Sequence, residues 1–448
     1  MTSNRAIEEL ARVEEVLNSR WPETKIEPSL DRIAHLMTLL GDPQLSYPVI
    51  HVTGTNGKSS TARMIESLLR ARGLNTGLIT SPHLHSITER IQINGEPIVA
   101  EKFVEAYDEI EPYLAVVDAE SINNDGPAMS YFEVLTGLAF AVFADAPVDV
   151  AVVEVGMGGR WDATNVVQPD IAVVTPIGLD HMEYLGDSIV AIASEKAGII
   201  KPGAIAVFAQ QDQEVAEVLL RRSVEVDVPV LREGIEFGVV SRTLAIGGQV
   251  VTLRGITGDY SDILLSLYGE HQAANASVAL TAVEAFFGGT ERLNDENVHT
   301  AFAQVKSPGR LEIVRRSPTV IVDAAHNPHG ARVLGKALED SFDFEYIIGV
   351  VSIMGDKDVD GVLSAFEPVL NQIVITSNGV DRAMPAAELA GRAIEIFGSD
   401  RVVVVPDLAG AIARAVELAD DAGNSGVGVV VTGSVVTAGA ARTLVGRS

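Results

Sequence analysis

The sequence contains no cysteine. Disulfides, zinc–thiolate sites, iron–sulfur clusters and any mechanism with a cysteine nucleophile or thioester intermediate are therefore excluded. If the chain activates a carboxylate, it does so without a thiol. Positive charge is also scarce: 33 Lys+Arg stand against 61 Asp+Glu, a formal charge of −28 whose field repels nucleic acid and anionic membrane surfaces at long range. Neither is expected as a partner, and an anionic substrate must be met by a local device. Long apolar runs are missing as well. The most membrane-like stretch, Val134 to Ala144, is well short of the roughly 18 to 20 residues a span needs and stops at Asp145. The N-terminus, Met1-Thr-Ser-Asn-Arg-Ala-Ile-Glu-Glu-Leu, carries carboxylates where a signal peptide is basic and apolar, so a cytoplasmic protein is expected.

What is present is a chain of 448 residues, 47% hydrophobic and 21% charged, which belongs to the compact globular class and has room for two or three domains. Two regions of alternating strand and helix signals are separated by a region of hairpins. In the first, the strand Val49-Ile-His-Val runs to Gly54, and a helix with Ala62, Ile65, Leu68 and Leu69 on one face follows until Gly73. The runs Asp149 to Val155 and Ile171 to Val174 are nearly continuous in Val and Ile and read as buried parallel strands. Between about Glu236 and Leu267 the period changes to two, with Gly247-Gly248 as a hairpin turn, which predicts an antiparallel appendage to the first domain. A helix from about Gln272 to Phe287 leads to Ser307-Pro-Gly-Arg310, which has linker composition. Strands are then expected at Thr319 to Val322, Tyr346 to Val351, Gln372 to Thr376, Arg401 to Val405 and Val427 to Val431, each followed by a helix. The expected fold is α/β: an N-terminal P-loop ATPase domain over residues 1–306, with its β appendage, and a Rossmann-like doubly wound domain over 307–448. Polar residues cluster past the strand ends of the second domain at Asp323, His326, Asp356, Lys357, Asp407 and Ser434, where ligands of open parallel sheets bind, and the interdomain cleft is the expected site.

Gly54-Thr55-Asn56-Gly57-Lys58-Ser59-Ser60 lies between strand and helix, so backbone N–H groups and the positive helix end converge while Lys58 adds a mobile charge. This is a cradle for nucleotide phosphates, although the first glycine of G-x-x-x-x-G-K-[ST] is missing. The plainer reading is an Asn-Gly turn followed by a solvated lysine. A triphosphate held this way needs magnesium, which prefers hard oxygen ligands. Glu154, at a strand end just before Gly156-Met-Gly-Gly159, is a candidate ligand or an ordinary salt-bridged strand end. His181, in Gly178-Leu-Asp-His181, is likewise a candidate ligand or a surface residue.

These residues resemble folylpolyglutamate synthase and dihydrofolate synthase, within the Mur-type ATP-dependent amide ligases. The likeness runs through Gly54–Ser60, Thr80-Ser-Pro-His-Leu84, Glu89-Arg-Ile91, Phe132-Glu133 and Glu154-Val-Gly-Met-Gly-Gly-Arg-Trp-Asp-Ala-Thr-Asn165. It continues through Asp180-His181, Glu195-Lys-Ala-Gly198, His271-Gln272 with Asn275, Pro308-Gly-Arg310, Asp323-Ala-Ala-His-Asn-Pro328, Asp356-Lys-Asp358 and Thr432-Gly-Ser434. Ser59 departs from the pattern, which usually has glycine there. The hydroxyl used by the family would be Ser60, so either serine is a candidate to approach the metal.

The resemblance implies ATP as cosubstrate and two Mg²⁺ ions, one held by Ser81 and Glu154 and the other by Glu154, His181 and Lys196. Lysine is a metal ligand in this family as a carbamate; from the residues alone Glu195-Lys196 also reads as a surface pair. Asn275 is implied to contact adenine, Arg310 the phosphates, Asp323 and His326 the ribose and the incoming glutamate, and Ser434 the glutamate. Phe132 is implied to stack on the pteridine beside Asp162 and Ala163, where the bare sequence favours core packing of the helix Tyr131 to Ala144. The implied reaction joins L-glutamate to dihydropteroate, to a reduced folate, or to both, through an acyl phosphate, in a monomer, with Lys58, Lys196, Arg310 and His326 in catalytic roles. A cell-wall Mur ligase is the alternative enzyme; only about fifty residues precede Gly54, too few for the nucleotide-sugar domain of that branch. A non-catalytic ATP-gated switch is the alternative of another class.

Overall fold

The computed structural model describes residues 4–21, 29–422 and 426–446, which leaves Met1 to Ser3 of the N-terminal stretch outside the described residues. The chain divides into two compact units. The first takes the chain up to Thr243 together with Val250–Ser266 and Ala273–Val305; the second takes Leu244–Gln249, Leu267–Gln272 and the chain from Lys306 onward.

The first unit is built on an eight-stranded sheet. In spatial order its strands are Glu96–Pro97, Ile91–Ile93, Thr76–Ile79, Val150–Glu154, Val49–Thr53, Ile171–Val174, Ile205–Phe208 and Val230–Arg232. The last six run parallel, and the two at the opposite edge pair antiparallel. Every residue of Val49–Thr53, Val150–Glu154 and Ile171–Val174 is buried, as expected for parallel strands covered on both faces. Because Val49–Thr53 pairs with both of the others, the loops after these three strands leave the sheet side by side.

The expected helix after the first strand spans Lys58–Ala71 and buries Ala62, Ile65, Leu68 and Leu69 on its sheet-facing side, each of the three larger side chains worth roughly 1.5–3 kcal/mol. The apolar stretch from Val134 lies in the helix Tyr131–Asp145, which is buried along most of its length; among the described residues no helix is long and apolar enough to cross a membrane. Two further helices, Asn4–Asn18 and Asp31–Leu39, add Val13, Leu17, Ile33, Leu36 and Met37 to the same core.

The period-two region forms a three-stranded sheet, Gly238–Ala245, Gly248–Arg254 and Asp259–Leu265, with the middle strand in the middle. Its first turn falls one residue earlier than expected, at Ile246-Gly247: Gly247 takes the left-handed φ of +85° that a two-residue turn needs, and Gly248 already opens the next strand.

The second unit has a six-stranded sheet in the order Glu312–Arg316, Thr319–Val322, Val427–Thr432, Tyr346–Val351, Gln372–Ser377 and Val402–Asp407, all parallel except the first. The last strand in sequence inserts beside the first parallel one, so the segments Asp323–Asn327 and Gly433–Ser434 leave adjacent strand ends.

Candidate active site

The phosphate loop begins where Val49–Thr53 ends. Gly54 has φ +147° and Gly57 φ +88°; a Cβ on Gly54 would overlap the Thr175 side chain, and one on Gly57 would lie 2.7 Å from Asn275 Oδ1. Only glycine fits either place. Two of the expected cradle amides are engaged elsewhere: Thr55 N–H and Asn56 N–H both donate to Pro176 O, at 3.0 and 3.3 Å. They fix the loop to its neighbour at the start of the helix Lys58–Ala71. Lys58 Nζ folds back and donates to the carbonyls of Gly54 (3.1 Å) and Thr55 (3.3 Å).

Glu154 is buried beside this loop. Its Oε1 accepts from Ser59 Oγ at 2.7 Å and its Oε2 from Ser81 N at 3.2 Å. Of the two candidate hydroxyls, Ser59 is therefore the one at the carboxylate, while Ser60 is buried in the first helical turn. Glu154 and Ser59 bring hard oxygens to one place, the donor chemistry that magnesium takes, with the Ser81 backbone beside them.

Lys196 ends the helix Ile189–Lys196 and is buried; its Nζ donates to Gly54 O at 2.8 Å. Burial, with Lys58 adding repulsion against the pull of Asp180, Asp162 and Glu195, lowers its pKa to about 7. It is thus no surface lysine. Glu195 holds the loop after Glu154 in place: its carbonyl accepts Arg160 N at 2.9 Å and its carboxylate accepts Trp161 N at 3.2 Å. His181 caps the short helix Met182–Leu185 in a left-handed conformation, φ +51°, with its Nε2 3.9 Å from Asp180 Oδ2. Among the described residues no group of three or more His, Asp or Glu is arranged to hold a metal.

The Phe132 ring is partly buried and lies against Gly156, whose Cβ would come within 2.6 Å of it. Asp162 is buried and turned into its own loop: Oδ2 accepts Met157 N at 2.8 Å, Oδ1 accepts Thr164 N at 3.0 Å, and it caps the turn Ala163–Val166, in which Ala163 is buried. Burial raises its pKa despite these bonds. Asn275 sits on the helix Glu270–Phe286, its amide against Gly57.

In the second unit Asp323 accepts Leu311 N and Ala325 N, each at 2.8 Å, and so ties the Arg310-Leu311 corner to a strand end; burial raises its pKa against the pull of Arg310. His326 Nδ1 lies 2.9 Å from Ala324 O. Gly433 N donates to Ala325 O at 3.1 Å, which brings the His326 and Ser434 segments together. Ser434 Oγ caps the helix Val435–Val445 and receives Asn378 Nδ2 at 3.2 Å. Of the other polar residues marked past strand ends, Asp407 caps the helix Leu408–Asp421 and Asp356 pairs with Arg382. The sequence reading missed His51, Thr53 and Thr164, which join the phosphate-loop strand to the Asp162 loop. A histidine set between the apolar Ile50 and Val52 of a buried strand was the available signal.

The model of the Mur ligase middle domain matches residues 52–283, and that of the Mur ligase, glutamate ligase domain matches 309–435. The chain is 55% identical to the dihydrofolate synthase/folylpolyglutamate synthase of Mycobacterium tuberculosis, over 98% of this chain and 95% of that one. Its structure is similar to that of M. tuberculosis folylpolyglutamate synthase complexed with ADP, with a TM-score of 0.95 and 54% identity over 99% of both chains. It is also similar to E. coli FolC in complex with DHPP and ADP, with a TM-score of 0.84 and 28% identity over 98% of both. The chain belongs to the Mur ligase family, in its folylpolyglutamate synthase and dihydrofolate synthase branch, and is an ATP-dependent acid–amino-acid ligase.

Proposed function

We propose that this protein joins L-glutamate to a reduced folate, to dihydropteroate, or to both, by way of an acyl phosphate. The observation that carries the reading is the buried Glu154 carboxylate bonded to Ser59 of the phosphate loop: a metal-ready oxygen set placed beside a nucleotide cradle. E. coli FolC, bound to DHPP and ADP, supports a pterin acid as the partner of the nucleotide.

Ser59, Ser81 and Glu154 would hold one magnesium ion, and Glu154, His181 and a carbamate of Lys196 a second. Magnesium there would neutralise charge on the phosphates. The carbamate requires a neutral amine, and a pKa of about 7 leaves Lys196 a large neutral fraction at neutral pH. Lys58 shifts from the loop carbonyls to the phosphates, and Arg310 and Asp323 bind the nucleotide. Phe132 and the Asp162-Ala163 loop hold the pterin, and His326 and Ser434 the glutamate.

The substrate carboxylate attacks the γ-phosphorus of ATP, the bond to the bridging oxygen breaks, and ADP leaves. The neutral α-amine of glutamate then attacks the acyl phosphate, phosphate departs and an amide forms, with His326 accepting the amine proton. Because an acyl phosphate open to water would hydrolyse, it forms only where water is excluded and glutamate is bound, and this ties ATP turnover to glutamate.

The test is incubation with ATP and either dihydropteroate or a tetrahydrofolate, with and without L-glutamate. Glutamate-dependent ADP release with a product heavier by one glutamyl residue is expected, and a folded Lys58→Ala protein should lose it by about 10²-fold or more. Release of ADP without amide, or full activity of Lys58→Ala, overturns the reading.

A further inference from the structure

The strand that ends in the phosphate loop also braces the loop that follows Glu154. His51 and Thr53 are two residues apart on Val49–Thr53, so their side chains leave the same face of the sheet, and both are fully buried. Thr53 Oγ1 donates to Gly158 O at 2.8 Å, near the start of the loop, and His51 Nε2 lies 2.9 Å from Thr164 Oγ1, near its end. The Thr164 hydroxyl donates its one proton to Asp162 Oδ1 at 2.5 Å. The His51 contact therefore requires the proton on Nε2, with the ring neutral and donating. Asp162 Oδ2 in turn accepts Met157 N, so an unbroken series of bonds runs from His51 through Thr164 and Asp162 to Met157, one residue before the Gly158 carbonyl that Thr53 holds.

The other nitrogen of His51, Nδ1, is buried with no hydrogen-bond partner among the described residues. A histidine that leaves a buried nitrogen unused is a poor choice for packing alone, since leucine or valine fills a strand interior without that cost. What histidine adds here is the single donor to Thr164.

We propose that His51 is a positioning residue for the pterin acid: through Thr164 it fixes the Asp162 loop to the strand that carries the phosphate loop, so that the carboxylate to be activated meets the phosphate to be transferred. The inference rests on the assignment of Phe132 and the Asp162 loop to the pterin, made above.

The experiment measures KM for dihydropteroate, for a tetrahydrofolate and for ATP, together with thermal midpoints, in His51→Leu, His51→Gln, Thr164→Val, the double variant His51→Leu/Thr164→Val, and Phe132→Ala. Gln can place an N–H where Nε2 stands, and Val keeps the shape of Thr, so a folding failure of His51→Leu leaves the test intact. The expected result is a rise of about tenfold in pterin KM for His51→Leu and Thr164→Val, no larger in the double variant, with ATP KM within about twofold and His51→Gln near the parent. If Phe132→Ala raises the pterin KM while Thr164→Val leaves it unmoved, the role of His51 is overturned and the pterin assignment stands. Equal rises in all KM values, or His51→Gln as impaired as His51→Leu, overturn it as well. If Phe132→Ala has no effect on pterin KM, the pterin assignment itself has failed.

Discussion

Burial holds the His51 imidazole at a pKa of about 3, with Lys201 adding repulsion, while in an unfolded chain it binds its proton near 6.5. Between those values the unfolded state carries more protons than the folded one, so this residue removes stability as the pH falls through that window. By pH 5 the loss amounts to about 2 kcal/mol. His51→Gln lacks the titration, so urea unfolding at pH 7 and pH 5 should show the parent losing about 2 kcal/mol more than the variant; an unchanged difference would mean that His51 is protonated in the folded state. His51 shows how residues differ in what their neighbours in sequence reveal. The places of Lys58 at a helix start and Glu154 at a strand end were legible because a lysine after Asn-Gly and a carboxylate before a glycine run are local patterns. The role of His51 depends on Thr164, 113 positions away, and no local pattern points there.

The element proposed to bind phosphate is held by backbone shape. Gly57 has φ +88° at the start of the helix Lys58–Ala71, with Asn275 Oδ1 where a Cβ would go, whereas Gly73 has φ +87° beyond its end with nothing within 4 Å. Gly57→Ala and Gly73→Ala should therefore both cost roughly 1–2 kcal/mol for the left-handed backbone, but Gly57→Ala alone should raise ATP KM, by about tenfold. Titration with ATP alongside thermal melts separates the two; equal ATP affinity in both variants would remove the loop from nucleotide binding. The loop after Glu154 is shaped in the same way: a Cβ on Gly159 would strike the backbone of Glu195 and Lys196, and one on Gly198 the backbone of Arg160. Elements were legible where the pattern was strong, as in the Val- and Ile-rich buried strands. The helices Asn4–Asn18 and Asp31–Leu39 carry an amphipathic period of their own, and what no local pattern gives is the core they share with the helix Tyr131–Asp145.

At the scale of the whole molecule, a formal charge of −28 opposes the approach of ATP and of a pterin carboxylate, and the cation proposed to meet the phosphates, Lys58, acts only at short range. The Debye length falls from about 30 Å in 0.01 M salt to about 8 Å in 0.15 M, so added salt screens the distant repulsion first. The association rate of a fluorescent ATP analogue should rise across that range; a falling rate would show that the local cations govern the encounter. The absence of cysteine, the alternation of strands with helices and the phosphate loop were fixed by residue type and short spacing, because glycine's backbone range, lysine's charge and apolar period act between neighbours. Side-chain partnerships were not. That Ser59 rather than Ser60 meets Glu154 across 95 positions, and that Lys196 is buried on the Gly54 carbonyl across 142, follow from which strands lie side by side and which way each residue points, and chain folding sets both through packing that no local pattern encodes.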